Sequence, residues 1–135
     1  MIKTVLIALL LAPLASATAF ADKDFVTADE GTSWDCGKDP VANVMYGKGT
    51  FTFTGACTEV NINGSEVKVT IESTATLNVN GDKNTVTVAE VGAININGTA
   101  NKATWTKAKT GQKPTTATNG TGNAVVKAPA AKAKK

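Results

Sequence analysis

Two cysteines, Cys36 and Cys57, are the residues of this 135-residue chain with the most chemistry to offer. A cysteine pair serves a redox centre, a metal site or a disulfide. The first usually shows a C-x-x-C spacing and the second needs further ligands. Here the cysteines stand far outside that spacing, the chain has no histidine, and no third ligand cluster accompanies them. The missing histidine also removes the commonest general base, and with it Ser–His and Cys–His nucleophilic arrangements. Paired carboxylates could still act on glycosidic bonds. The acids available in the body of the chain are Asp29, Glu30, Asp35, Asp39, Glu59, Glu66, Glu72, Asp82 and Glu90. They are scattered over expected turns and outward positions, where solvation is the ordinary role of a carboxylate. Calcium-binding turns of repeat proteins are rich in glycine and aspartate. Gly81-Asp82-Lys83-Asn84 puts a lysine where a ligand would be required. The expectation is no catalytic residue, no cofactor and no metal, with a carboxylate-based hydrolase as a distant alternative.

The compartment decides the role of the cysteines. Residues 1–21 read as a secretory signal: Lys3, an apolar run from Val5 to Leu14, and a small-x-small site at Ala19-Phe20-Ala21 before Asp22-Lys23-Asp24. The run is too short to span a bilayer of ~30 Å. Cleavage after Ala21 gives a secreted or periplasmic protein with no transmembrane segment. In an exported chain an even cysteine pair reads as a disulfide. Cys36–Cys57 would staple residues 22–45, an irregular capping segment, to the first repeat.

The element that must position everything else is a repeat. Gly47, Gly64, Gly81 and Gly98 are evenly spaced, with a period of 17, and Val60-Asn-Ile-Asn-Gly64 recurs as Leu77-Asn-Val-Asn-Gly81 and Ile94-Asn-Ile-Asn-Gly98. Within each unit apolar and polar residues alternate, as in strands with one buried face. Val67, Val69 and Ile71 point inward, as do Val86 and Val88 in the next unit, then Ala103 and Trp105. The pairs Asn63-Gly64, Asn80-Gly81 and Asn97-Gly98 supply turn chemistry, and the same reading covers the glycosylation-like triplets Asn63-Gly-Ser65, Asn97-Gly-Thr99 and Asn119-Gly-Thr121. A near-constant period predicts an all-β fold over residues 46–106: a short β-solenoid of ~17-residue coils, with stacked columns and asparagine ladders. The alternative is an antiparallel hairpin meander or sandwich. Phe51 and Phe53 precede Val69 and Ile71 by one position more than the period, so one extra residue enters the first unit. Trp105 and Trp34 are expected to cover the two open ends of the core.

Charge divides the chain. Residues 22–90 carry 5 lysines and 11 acids, whereas residues 91–135 carry 8 lysines and no acid. Residues 107–135 are rich in Lys, Ala, Thr and Pro and read as a disordered basic tail. Two functional expectations result. A flat outward face containing Thr52, Thr70, Thr87 and Thr104 gives a non-enzymatic structural or binding role at the cell envelope, toward glycan, lipid or protein. Alternatively the tail, through Lys127, Lys132, Lys134 and Lys135, tethers the protein to an anionic glycan, lipid or extracellular nucleic acid. Without arginine or interleaved aromatics it offers no specific nucleic-acid recognition. Oligomeric state is left open.

Trp34-Asp-Cys36-Gly37, Gly49-Thr-Phe-Thr-Phe-Thr-Gly55-Ala-Cys57 and Gly81-Asp-Lys-Asn84-Thr-Val-Thr-Val88 together resemble the exported bacterial family catalogued as the domain of unknown function number 3060. The resemblance spans roughly residues 32–106. It departs at Ser65-Glu-Val-Lys-Val and at Ala100-Asn-Lys-Ala-Thr-Trp, where the family phrase is Asn-Asn-Thr-Val. It implies an exported β-repeat domain and no particular activity.

Overall fold

The computed structural model describes residues 24–25 (backbone only), 32–45 and 48–129. The expected signal segment lies outside the described residues, as do Lys132, Lys134 and Lys135. Nine strands are found among the described residues: β1 (Asp24–Phe25), β2 (Thr32–Asp35), β3 (Val41–Met45), β4 (Gly49–Asn63), β5 (Val67–Asp82), β6 (Thr85–Thr99), β7 (Lys102–Ala108), β8 (Thr115–Asn119) and β9 (Ala124–Lys127). Every pairing between them is parallel. Parallel neighbours separated by one sequence period require each unit to be one turn of a coil. The chain is therefore a β-solenoid, and the hairpin sandwich does not form.

One coil shows how the sequence sets its own bends. Val67–Ile71 forms a first side, Ser73–Thr74 a short second side and Thr76–Asn80 a third, each in register with the coil above it. Val67, Val69, Ile71, Leu77 and Val79 are buried, and Thr74 is buried with its hydroxyl donating to the Thr76 carbonyl at 2.9 Å. The corners take small residues. A Cβ at Gly92, one coil above Ala75, would lie 2.6 Å from the Ala75 carbonyl oxygen.

Stacking turns the repeated positions into columns. Val44, Ile62, Val79 and Ile96 form one, and Ala42, Val60, Leu77 and Ile94 another. A third runs Trp34, Phe53, Ile71, Val88, Trp105, and a fourth Phe51, Val69, Val86, Ala103, Val125. Each buried aliphatic contributes ~1.5–3 kcal/mol by leaving water. Volumes compensate along the stack: Trp105 enters beside Ala103, where the coil below has Val88 beside Val86. Trp34 is half-buried against the core at one end, and Trp105 is 7% exposed near the other.

The extra residue of the first unit is a bulge. Phe53 pairs with Ile71, yet Ala56 pairs with Ser73, so the register of β4 on β5 slips by one position between them. Thr54 and Gly55 together face Glu72. Gly55 adopts φ 77°, and its N–H donates to the Glu72 carboxylate.

Cys36 and Cys57 are joined in a buried disulfide with Cα atoms 4.9 Å apart. It locks the segment after β2 onto β4, and the Cys36 N–H also donates to the Thr54 carbonyl. Closing a loop of this length stabilises by about 3 kcal/mol in the chain-entropy view. Cys57 heads an interior column continued by Thr74, Val91 and Ala108.

The expected disordered tail is corrected by the structure over residues 107–129. β8 pairs with the third side of β6, β9 pairs with β7, and Pro114 is buried before β8. The coil that joins them is longer: Asn119 stacks on Asn97 across 22 residues, where Asn97 stacks on Asn80 across 17 residues. The additional residues fall between β7 and β8. Parallel pairing onto the coil below satisfies the backbone donors and acceptors of a segment with little apolar surface to bury.

Candidate functional site

Three outward surfaces arise from the coil geometry. On the first side, Ser33, Thr52, Thr70, Thr87 and Thr104 lie in one register-locked row across adjacent strands. The four threonines expected to share a face therefore do so. Thr70 and Thr87 are exposed, whereas Thr52 and Thr104 are half-buried. Beside them runs a second row, Thr50, Lys68, Thr85 and Lys102. Neither lysine is paired with a carboxylate among the described residues, and no carboxylate occurs in either row. The threonine row ends at Val126, 44% exposed.

The third side is an amide surface. Asn61 donates to Asn43 (2.9 Å), Asn78 to Asn61 (2.8 Å) and Asn95 to Asn78 (2.8 Å). A parallel ladder two residues on runs Asn80 to Asn63 (3.0 Å), Asn97 to Asn80 (3.0 Å) and Asn119 to Asn97 (2.9 Å). These are the ladders the repeat predicts. Each ladder bond engages one N–H of the donating amide and the oxygen of the amide below, which makes this side chiefly a structural seam.

A further ladder is internal and is not legible as such in the sequence. Asn84 and Asn101 are buried at the turn between third and first sides. The Asn84 amide donates to the Gly64 carbonyl at 2.8 Å, and its oxygen accepts the Val67 N–H at 3.0 Å. Asn101 repeats this one coil on, donating to Gly81 O at 2.7 Å and accepting the Asn84 N–H at 3.0 Å. Asn123 repeats it again, donating to Gly98 O and accepting the Asn101 N–H. The residue before each is left-handed: Lys83 at φ 57°, Ala100 at φ 56° and Gly122 at φ 71°. The recurrent signal is Asn-Gly-x-x-Asn at 80–84, 97–101 and 119–123.

The carboxylates are spread over separate structural contacts. Glu59 accepts from Asn78, Asp82 from the Thr99 N–H, and Asp35 from the Gly37 N–H. Lys48 binds Glu66 at 2.8 Å, holding that carboxyl below its ordinary range while its own ammonium is raised. Lys107 binds Glu90 at 2.9 Å with Lys109 at 3.5 Å, and Lys107 chiefly lowers the Glu90 carboxyl. Asp29 and Glu30 lie outside the described residues. Among the described residues no group of three or more His, Cys, Asp or Glu side chains gathers as a metal site. Two depressions among the described residues are shallow: about 410 Å³ beside Trp34, Asp35 and Asp39, and about 500 Å³ over Glu72, Ala89 and Glu90.

Of the lysines expected to contact anionic partners, Lys127 sits over the Trp105 ring, 5.2 Å from its centroid, and covers the end of the core. No helix of the described residues is long and apolar enough to cross a membrane.

No curated protein and no solved structure matches the chain. Residues 47–90, which span the bulged first unit, the coil after it and the start of the next, match the family described as "Protein of unknown function (DUF3060)".

Proposed function

We propose that this protein is an exported, non-catalytic β-solenoid that binds an anionic glycan of the cell envelope along its threonine–lysine face. The observation that carries the reading is the pair of rows on the first side. Lys68 and Lys102 stand in one row two coils apart, roughly 9.6 Å at ~4.8 Å per coil, with Thr85 between them. The hydroxyls of Thr70, Thr87 and Thr104 run alongside. Because spacing and register are set by backbone pairing, the backbone that carries these cations and hydroxyls needs no ordering on binding, and only the side chains lose freedom. A β-1,4-linked polyuronate extended along the stack, which turns every second carboxylate toward one face, meets this pattern. The buried disulfide accords with an oxidising compartment, and export by cleavage after Ala21 would place the face there. Mass spectrometry of the envelope or extracellular protein is expected to show an N-terminus at Asp22; a retained Met1 would remove the compartment from the proposal.

The binding test uses a soluble β-1,4-linked polyuronate against a neutral β-1,4-glucan. The wild type is expected to bind the polyuronate, weakly at high salt because exposed charges are screened within ~8–10 Å, and to ignore the glucan. Lys68→Gln with Lys102→Gln is expected to weaken binding roughly tenfold, the size of two modest surface contacts. A chain ending at Pro129 is expected to bind as well as the full chain. Loss of binding in that truncation, with the double variant unaffected, would move the site to Lys132, Lys134 and Lys135. No binding of the polyuronate would end the proposal.

A further inference from the structure

The chain holds four Asn-Gly pairs, at 63–64, 80–81, 97–98 and 119–120, all in one column of the stack. Asn-Gly is the sequence most prone to cyclise, since glycine has no side chain to shield its nitrogen. Two things must be free for this to happen: the asparagine side-chain amide and the N–H of the following glycine.

The stack withholds both from the first three pairs. Asn80 and Asn97 each donate to the rung below and accept from the rung above, and Asn63 accepts from Asn80 while donating to the Met45 sulfur. At this corner backbone N–H groups point up the stack: Gly64 donates to Asn80 O at 3.1 Å, Lys83 to Thr99 O and Ala100 to Thr121 O. Gly81 and Gly98 lie inside β5 and β6, paired with each other. The fourth pair is held less on both counts. Asn119 is exposed and donates to Asn97, but among the described residues no rung above it donates to its own side-chain oxygen. Gly120 lies beyond the end of β8, and among the described residues no further coil receives its N–H.

We propose that Asn119-Gly120 is a site of spontaneous deamidation, and that the amide ladder protects the other three pairs. The Gly120 nitrogen attacks Asn119 Cγ. The new N–Cγ bond forms as the Cγ–Nδ2 bond breaks, and Nδ2 leaves as ammonia carrying the proton released by Gly120. Solvent water then opens the five-membered succinimide at either carbonyl, giving aspartate or isoaspartate. The product carries a carboxylate at the end of the ladder in place of the donor to Asn97.

Cleavage after lysine separates the four pairs into their own peptides, residues 49–68, 69–83, 84–102 and 110–127, so each is read independently. Full-length folded protein is held in mildly alkaline buffer and the amide-to-carboxylate mass gain is followed in each peptide. Peptide 110–127 is expected to convert at least about tenfold faster than the other three, each of which keeps its ladder hydrogen bonds and strand N–H engaged. In denaturant all four are expected to convert at similar rates. Asn119→Gln should abolish the fast conversion in 110–127 without accelerating the rest. Equal rates for all four pairs in the folded protein, or a 110–127 peptide as inert as its neighbours, would overturn the proposal.

Discussion

Gly98→Ala is expected to be the most damaging single-methyl change in the domain. A Cβ at this position would lie 1.9 Å from the Gly81 carbonyl oxygen, and the backbone there has φ 129°. The obstacle is main chain of the adjacent coil, held by strand pairing on both sides, so relief requires the coils to part. The same contact recurs at Gly81 against Gly64 O and at Gly120 against Gly98 O, each at 1.9 Å. The glycine column is therefore a condition of the coil spacing. The expected loss is at least about 4 kcal/mol, a large part of the roughly 5–15 kcal/mol that holds a typical domain. Gly111→Ala is the comparison: φ is 68° but no atom lies within 4 Å of the added Cβ, so only the left-handed penalty of roughly 1–2 kcal/mol applies. Urea unfolding of the two variants measures the difference. A Gly98→Ala protein within about 1 kcal/mol of wild type would mean the coils do not approach as described.

Asn101→Ala is expected to cost nearly as much, about 3–5 kcal/mol, although it removes no apolar contact. Its side chain accepts the Asn84 N–H and donates to Gly81 O and to Asn123 Oδ1. It is 1% exposed, so the abandoned backbone groups have no water to turn to, and each buried unsatisfied group costs ~1–3 kcal/mol. Asn80→Ala breaks two ladder bonds on the outer amide surface, where solvent can replace them, and is expected to cost about 1 kcal/mol. Equal denaturation midpoints for the two alanine variants would show that the inner ladder carries no more than the outer one.

Asn84 and Asn101 mark the limit of what the sequence discloses. The inward aliphatics announce themselves by alternation, and the constant period alone puts Val60, Leu77 and Ile94 in one column. The outer amides come from the same phrase. Asn84 and Asn101 do not, because a polar residue after a glycine turn reads as solvated; only the closed coil shows that its amide replaces the hydrogen bonds missing where the chain reverses.

The C-terminal coil is hidden differently. Lysine and threonine content there points to disorder, yet Lys107 and Lys109 neutralise Glu90 and Lys127 caps Trp105. A longer loop moves Asn119-Gly120 out of phase, so the fixed spacing ends at Gly98. The phrase Asn-Gly-Thr-x-Asn, identical at 97–101 and 119–123 but for one residue, is the surviving signal. The threonine row is visible from alternation, but its alignment into one line depends on where the bulge at Gly55 absorbs the extra residue.

The coil of β8 and β9 also changes what the stack offers at its own level. Thr116 and Thr118 occupy the positions held by Ile94 and Ile96 one level below, and all five residues of β8 are exposed. A parallel stack with an uncovered apolar top is a template that any identical chain could extend, end on end, into a filament. Here, at the last described level, the two third-side aliphatic columns give way to hydroxyls while Val125 continues the first side, so the third side of that coil is wetted instead of sticky. Two threonines thereby take from the third side of this coil the apolar template that Ile94 and Ile96 give the coil below.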